Sequence, residues 1–212
     1  MNQFDFIAIE GVIGAGKTSL AQLLAERRRA RLVLEEFEEN PFLPSFYKDP
    51  ERYAFQTQLA FLASRFRQQQ HIKSKDLFQE MVITDYLFEK DRIFARLNLS
   101  GDELALYDSI YSIMSSISAR PSLVVYIQSS VDRLMQNIRD RGRSYEQEIS
   151  PDYLRELSNA YNHFFHHYDK SPLIIVNATE VDFVNQPHQL DYIESQIFDQ
   201  PLRSNQVHVK PS

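Results

Sequence analysis

The sequence contains no cysteine and only 5 glycines among its 212 residues. A chain without cysteine has no disulfide bonds, no thiolate metal ligands and no cysteine nucleophile. It also lacks an apolar run of about 18 or more residues, the length that a membrane-spanning helix needs. Residues 1–6 show neither the basic stretch nor the long apolar segment of a signal peptide. We therefore expect a cytoplasmic protein with no membrane association.

Basic residues are outnumbered, with 23 Lys and Arg against 29 Asp and Glu, for a net charge of -6. Proteins that bind duplex nucleic acid normally carry a basic excess, so we expect no nucleic-acid polymer as a partner. A local cluster of arginines can still hold the phosphate chain of a small molecule. The length, the hydrophobic content of 43% and the aromatic content of 12% are typical of one globular domain with a single core.

Five short apolar runs alternate with longer helical patterns along the chain. The runs cover residues 4–10, 31–37, 80–85, 122–128 and 172–178, and helical patterns cover 18–29, 50–70, 100–119 and 151–168. Nearly continuous apolar strands are typical of a parallel sheet that is buried on both faces. The alternation predicts one doubly wound α/β domain over residues 1–200, with a five-stranded parallel sheet flanked by helices. Residues 201–212 are polar, contain two prolines and are expected to be a flexible tail.

A glycine-rich loop follows the first predicted strand and opens the first helix. It matches the pattern G-x-x-x-x-G-K-[ST] and consists of Gly11, Val12, Ile13, Gly14, Ala15, Gly16, Lys17 and Thr18, followed by Ser19. Such a loop turns consecutive backbone N–H groups towards a polyphosphate, and the helix adds its positive N-terminal end. Lys17 would reach the β- and γ-phosphates and Thr18 would bind Mg²⁺. The motif therefore predicts an ATP or GTP site.

Acidic residues follow the second and third predicted strands. Since ligands of open α/β sheets bind beyond the carboxyl ends of strands, these carboxylates should face the phosphate loop. One of Glu35, Glu36 and Glu38 could deprotonate an attacking hydroxyl, and strand alternation places Glu36 and Glu38 on one face and Glu35 on the other. Asp85, after the third strand, is a candidate Mg²⁺ ligand beside Thr18.

Two further groups could contact a nucleotide. Arg139, Arg141 and Arg143 suit an arginine-rich lid that folds over a phosphate chain, although arginines also complement the dipole at a helix end. Gln58 and Arg65 lie seven residues apart, on the same face of the helix over 50–70. A glutamine amide offers both a donor and an acceptor to the edge of a base.

Several segments strengthen this picture. They read Tyr-Lys-Asp-Pro-Glu-Arg-Tyr at 47–53, Gln-Leu-Ala-Phe-Leu-Ala-Ser-Arg at 58–65, Asp-Tyr-Leu-Phe-Glu-Lys-Asp at 85–91 and Arg-Gly-Arg at 141–143. With the loop 11–18 and Glu36, they resemble the P-loop deoxynucleoside kinases, the family of deoxycytidine, deoxyguanosine, mitochondrial thymidine and bacterial deoxyadenosine kinases. The resemblance covers nearly the whole chain, as far as residues 176–183. It implies a homodimeric salvage enzyme that transfers the γ-phosphate of an ATP–Mg²⁺ complex to the 5′-hydroxyl of a deoxynucleoside.

The resemblance also implies roles for individual residues. Glu36 would accept the proton of the 5′-hydroxyl, while Lys17, Arg141 and Arg143 would neutralise charge on the phosphate. The residues that would bind the sugar are Tyr47 and Glu146, and those that would bind or enclose the base are Gln58, Arg65, Asp91 and Phe94. Bacterial relatives of this length favour purines, so we expect a purine deoxynucleoside.

Two positions depart from the family pattern. Tyr86 replaces an arginine expected after Asp85, and Asn137 replaces an arginine of the lid, with Arg139 two residues further along. These departures keep two alternatives open. One is a nucleoside monophosphate kinase related to thymidylate kinase, and the other is a regulatory P-loop protein that binds nucleotide without kinase activity.

Overall fold

The computed structural model of the protein describes residues 4–73, 81–199 and 206–210. Within these ranges a parallel sheet of six strands is flanked by helices, with the strand order β2-β3-β1-β4-β5-β6. The strands are β1 (Phe6–Gly11), β2 (Arg31–Val33), β3 (Val82–Thr84), β4 (Leu123–Gln128), β5 (Leu173–Asn177) and β6 (Gln206–Val209). The helices are α1 (Lys17–Arg28), α2 (Leu43–Lys48), α3 (Pro50–Lys73), α4 (Lys90–Asn98), α5 (Gly101–Ser116), α6 (Val131–Arg141), α7 (Pro151–His166) and α8 (Pro187–Phe198). Two short 3₁₀ helices cover Phe37–Glu39 and Ser144–Glu148. The predicted α/β class is confirmed.

The central strands are apolar because helices cover both faces of the sheet. Every residue of β1 is buried, as are the first five residues of β4. From β1 the chain builds β2 and β3 on one side, then crosses to β4, β5 and β6 on the other. Ligands of such sheets bind at the carboxyl ends of the strands, where the strand order reverses. This edge of β1 carries the phosphate loop.

The sheet has six strands, not the five predicted. β6 pairs in parallel with β5, with Val207 opposite Ile174 and Val209 opposite Val176. It lies in the segment 201–212, so the expectation of a flexible tail is wrong for Gln206–Val209; residues 201–205 and 211–212 lie outside the described ranges. Two valines that alternate with polar residues are enough to extend the free edge of β5. The alternation is too short to stand out between two prolines.

A second apolar cluster holds the helices that cover the carboxyl edge of the sheet. Leu62 of α3, Phe88 before α4, and Tyr107 and Tyr111 of α5 are buried together. This packing fixes α3 and α4 relative to the sheet. Of the helices in the described ranges, none combines the length and apolar character needed to cross a bilayer.

Ser150 caps the N-terminus of α7. The Ser150 hydroxyl accepts a hydrogen bond from the backbone N–H of Tyr153 at 3.1 Å, and Pro151 occupies the first turn. We expect Ser150→Ala to lower the free energy of unfolding by about 1 kcal/mol. Ser100 is the matched control, because it precedes α5 without a side-chain capping bond. Ser100→Ala should cost less than about 0.5 kcal/mol in urea denaturation; equal losses would contradict the capping role.

Candidate active site

The phosphate loop has the strand–loop–helix geometry that its motif predicts. β1 ends at Gly11 and α1 begins at Lys17. Gly14 and Gly16 adopt positive φ angles of 84° and 90°, which favour glycine. A Cβ atom at Gly14 would also lie 2.7 Å from the carbonyl oxygen of Leu134. The loop is therefore a glycine-dependent cradle at the N-terminus of a helix, the arrangement that binds phosphate.

Lys17 and Thr18 open α1 and face the crevice. Lys17 Nζ donates to the carbonyl oxygens of Gly11 and Val12, at 2.9 and 3.2 Å. Burial and the nearby charge of Lys90 lower the pKa of Lys17 to about 8. An ammonium group in this position faces any polyphosphate held by the loop.

Thr18 and Asp85 lie together, as the sequence predicts. The Thr18 hydroxyl donates to Asp85 Oδ2 at 2.6 Å, and Asp85 is buried just beyond β3. A hydroxyl and a carboxylate provide the hard oxygen ligands that Mg²⁺ prefers. In the described ranges no group of three or more His, Cys, Asp or Glu residues could hold a metal ion. One carboxylate fits Mg²⁺ nonetheless, since this ion usually takes its other ligands from water and substrate phosphates.

Two cavities meet at the phosphate loop. The loop cavity runs along the outside of residues 14–19 towards α6 and residues 181–185. The inner cavity lies beneath the lid, between the carboxyl edge of the sheet and helices α2, α3, α4 and α7. The residues that line both are Lys17, Thr18, Arg141 and Arg143. A group bound in one cavity can therefore meet a group bound in the other, next to the positive charges of Lys17, Arg141 and Arg143.

Glu35, and not Glu36, lines the inner cavity. Glu36 is exposed, and its nearest side-chain hydrogen bond is from Ser64 at 3.5 Å. The prediction that Glu36 faces the phosphate loop is therefore wrong by one residue. The family resemblance selects Glu36, whereas strand alternation over 31–37 leaves Glu35, Glu36 and Glu38 open; β2 in fact ends at Val33. Glu36 instead occupies the N-cap position of the 3₁₀ helix that follows.

Glu35 is held by three neighbours. Its Oε2 accepts from Lys90 Nζ at 2.7 Å, and its Oε1 accepts from Arg65 Nε at 2.8 Å. Its backbone N–H donates to Asp85 Oδ1 at 2.7 Å. Burial alone would raise the pKa of Glu35, but the charges and hydrogen bonds of Arg65 and Lys90 hold it well below its usual range. The carboxylate is therefore ionised at neutral pH and free to act as a proton acceptor.

Helix α3 brings Gln58 and Arg65 to the inner cavity, as their spacing predicts. Gln58 is 2% exposed, and no described residue donates to its Oε1. A buried amide oxygen without a partner is costly unless a ligand binds it. The hydroxyl of Thr57, which sequence reasoning missed, also lines the cavity without a partner in the described ranges.

Asp91, which the resemblance places among the residues that bind or enclose the base, pairs with Arg65. Arg65 NH1 donates to Asp91 Oδ1, and Asp91 is fully buried behind the guanidinium, outside the lining of the cavity. Phe94, one turn further along α4, lines the cavity and meets the ring of Tyr161 edge-on at 6.1 Å. Arg65 and Phe94 therefore line the inner cavity, and Asp91 holds Arg65 from behind.

The lid encloses the other end of the inner cavity. Buried Glu146 accepts from Arg141 Nε at 3.0 Å and from Arg143 NH1 at 3.3 Å. Tyr47 of α2 stacks on Tyr145 with 6.2 Å between ring centroids. Tyr47, Glu146, Arg141 and Arg143 all line the inner cavity. The predicted sugar-binding residues and two of the three predicted lid arginines are thus brought together.

Arg139 lies outside both cavities, against prediction. It is exposed and donates to Gln136 Oε1 at 2.9 Å. The side of α6 that faces the phosphate loop carries Arg133 and Asn137, and Asn137 Nδ2 donates to the Gly14 carbonyl at 2.8 Å. Sequence reasoning missed Arg133, although its spacing of four from Asn137 and of eight from Arg141 places all three on one helical face.

Tyr86 carries no charge into the site. It is fully buried, whereas Lys90, four residues later, lines the inner cavity and binds Glu35. The family pattern would place the positive charge of an arginine at position 86 in the site. Here Lys90 of α4 provides a positive charge, next to Glu35. Sequence reasoning missed Lys90 because its distance from Asp85 depends on where α4 begins.

Comparison with known proteins agrees with this geometry. The family model for deoxynucleoside kinases matches residues 7–201. Deoxyguanosine kinase of Bacillus subtilis (strain 168) is 37% identical over 162 residues, covering 76% of this chain and 78% of that protein. Deoxyadenosine kinase of Dictyostelium discoideum is 34% identical over 209 residues, covering 95% and 82%. The solved structure of deoxyadenosine kinase from M. mycoides with bound dATP has a TM-score of 0.79 at 26% identity, covering 91% of this chain and 98% of that one.

Proposed function

This chain belongs to the deoxynucleoside kinase family, and from that premise we propose how its residues carry out the reaction. It phosphorylates deoxynucleosides with ATP; we propose that the γ-phosphate goes to the 5′-hydroxyl. The observation that carries this assignment is the junction of the two cavities: Lys17 lines both of them, and Glu35 lines the inner one. The two alternatives, a monophosphate kinase and a regulatory nucleotide binder, are not favoured by the family and the relatives found.

On the acceptor side, Glu35 takes the role that was assigned to Glu36. Its carboxylate accepts the proton of the 5′-hydroxyl as the oxygen attacks the γ-phosphorus. Tyr47 and Glu146 bind the 3′-hydroxyl of the sugar, from positions that line the same cavity. Phe94 encloses the nucleoside. This arrangement holds the attacking oxygen in line with the phosphate, which supplies much of the catalysis in phosphoryl transfer.

On the donor side, backbone N–H groups of residues 11–18 cradle the phosphates of ATP. Lys17, Arg141 and Arg143 neutralise the charge that spreads over the transferring group. We propose that Thr18 and Asp85 would hold Mg²⁺, which when bound would neutralise negative charge on the phosphates. Arg133 and Asn137 replace Arg139 as the residues of α6 that contact the nucleotide, because they line the loop cavity.

For the base, we propose a purine. The relatives reported above are a deoxyguanosine kinase and two deoxyadenosine kinases. Gln58 can pair with either purine, because its amide has both a donor and an unpartnered acceptor. Arg65, held by Asp91, adds donors for acceptor atoms on the ring.

Replacing Gln58 tests the base-binding role. Gln58→Ala should raise KM for the deoxynucleoside by roughly 10- to 100-fold and leave KM for ATP within about twofold. Gln56→Ala is the matched control, because Gln56 is an exposed residue of the same helix. Steady-state kinetics with each substrate varied in turn provide the measurement. Equal increases in both KM values would show that α3 does not line the base site.

The reaction itself is tested by coupling ADP release to a spectroscopic readout. The four common deoxynucleosides and their 5′-monophosphates are each offered with ATP and Mg²⁺, and again with EDTA. We expect turnover with deoxynucleosides, greatest with deoxyadenosine or deoxyguanosine, and none with EDTA. Turnover with monophosphates alone, or with no acceptor, would overturn the proposal.

A homodimer and a cytoplasmic location also remain proposals. The family resemblance supports the dimer. Light scattering on the purified protein should give twice the chain mass of 24.9 kDa. A mass of one chain at micromolar concentration would contradict the dimer without affecting the proposed reaction.

A further inference from the structure

Lys90 is a buried cation at a position where both the helix dipole and the cost of desolvation disfavour a positive charge. It is the first residue of α4 and only 4% exposed. A positive charge in the first turn of a helix opposes the helix dipole, and burial of an ammonium group carries a desolvation cost. An acidic or neutral residue would suit the helix better. The contacts of Lys90 must therefore account for its presence.

The ammonium group of Lys90 is directed at the cavity. Its Nζ lies 2.7 Å from Glu35 Oε2, and the side chains of the two residues are 5% and 13% exposed. Lys90 and Glu35 both line the inner cavity. The pair is therefore at the wall of the site and not in the apolar core. The charge of Lys90 also acts on the phosphate loop: after burial, it is the largest cause of the lowered pKa of Lys17.

The two oxygens of Glu35 have different partners. Oε2 is bound by Lys90, whereas Oε1 is bound by Arg65. Arg65 divides its guanidinium between Glu35 and Asp91, which lies on the far side. Two cations on two oxygens prevent rotation of the carboxylate about its last torsion angle. Without Lys90, Arg65 would hold Glu35 by one oxygen, and the other would be free to turn.

We propose that Lys90 is a positioning residue, which fixes the carboxylate of Glu35 in the orientation needed to accept the proton of the reacting hydroxyl. This inference rests on the proposed role of Glu35 as the base. Lys90 acts through Glu35 and does not itself bind the nucleoside. Misplacement of a reacting group by about 1 Å can cost a hundredfold in rate.

A double-mutant cycle tests the inference. Lys90→Met should lower kcat by about a hundredfold and leave both KM values within about threefold. Lys90→Arg should recover at least about a tenth of the wild-type kcat, because it keeps the charge. In the Glu35→Gln background, Lys90→Met should cost less than about threefold, because its target is already lost. Lys170→Met is the control, since Lys170 is half-exposed and pairs with Glu89 away from the cavity.

Several outcomes would overturn the inference. These are a Lys90→Met enzyme with kcat within about twofold of wild type, equal losses for methionine and arginine, or an additive loss in the Glu35→Gln background. If Lys90→Met does not fold, as judged by circular dichroism, Lys90→Gln takes its place and is read by the same criteria. Full activity of Glu35→Gln alone would instead remove the proposed base. The failure of the proposed function and that of the Lys90 inference are thus distinguishable.

Discussion

We expect Glu35→Gln to lower kcat by about a thousandfold and Glu36→Gln to leave it within about twofold of wild type. The two residues are neighbours of the same type, yet only Glu35 lines the inner cavity, where Lys90 and Arg65 bind its oxygens. Glutamine keeps the shape of the side chain but cannot accept the hydroxyl proton. Since Glu36 is exposed, its replacement removes nothing from the site.

Single-turnover kinetics with ATP and deoxyguanosine measure this pair of variants. Binding of a fluorescent ATP analogue should be the same for both within about threefold, because the loop 11–18 is unchanged. Glu35→Gln leaves Lys90 and Arg65 with less compensating charge, so circular dichroism must confirm that the variant is folded. A thousandfold loss of activity in Glu36→Gln, together with normal activity in Glu35→Gln, would identify Glu36 as the base. It would contradict the geometry described above.

We expect the second large effect from Lys17→Met, which should lower kcat/KM for ATP by about a thousandfold. The ammonium group of Lys17 is the cation that lines both cavities from the start of α1. Methionine preserves much of the length and apolar character of the side chain. It cannot neutralise the charge of a transferring phosphate.

Thermal unfolding separates binding from folding in this variant. Without ATP, Lys17→Met should unfold within a few degrees of wild type, because a buried ammonium group contributes little net stability. Saturating ATP should raise the Tm of the wild type and not that of Lys17→Met, since stabilisation by a ligand follows its affinity. Lys170→Met should behave as wild type in both measurements. A normal ATP-induced shift in Lys17→Met would show that Lys17 does not contact the phosphates.

Sequence reasoning worked best where a local rule fixes the geometry. The loop 11–18 lies between a strand and a helix as predicted, and Gly14 and Gly16 have the positive φ angles that favour glycine. Gln58 and Arg65 face one cavity because two helical turns separate them. These features depend on residues close together in sequence, so the sequence contains them.

Predictions failed where an element boundary decided the outcome. Glu36 was chosen by its match to the family pattern at the end of a predicted strand, but β2 stops at Val33 and Glu35 lines the cavity instead. Arg139 was chosen by its place in an arginine cluster, whereas the face of α6 selects Arg133. Lys90 reaches Glu35 across a sequence separation of 55 residues. Contacts of this kind depend on how helices pack against the sheet, which no local pattern specifies.

Strand β6, at the edge of the sheet, could not be predicted from local sequence either. β6 has four residues and pairs with the free edge of β5. Nothing in its composition distinguishes it from a polar tail, since two valines provide the whole apolar signal. It becomes a strand because an unpaired edge of a parallel sheet is available to it.

The position of the transferred phosphate tests the central claim most directly. Purified protein is incubated with ATP, Mg²⁺ and deoxyguanosine or deoxyadenosine, and the product is examined by ³¹P NMR. Phosphorus coupled to the two 5′ protons of the sugar, together with no reaction of the 2′,5′-dideoxynucleoside, is the predicted result. Phosphate on the 3′-oxygen, or ATP hydrolysis without phosphate on the nucleoside, would contradict the claim that the two cavities meet at the 5′-hydroxyl.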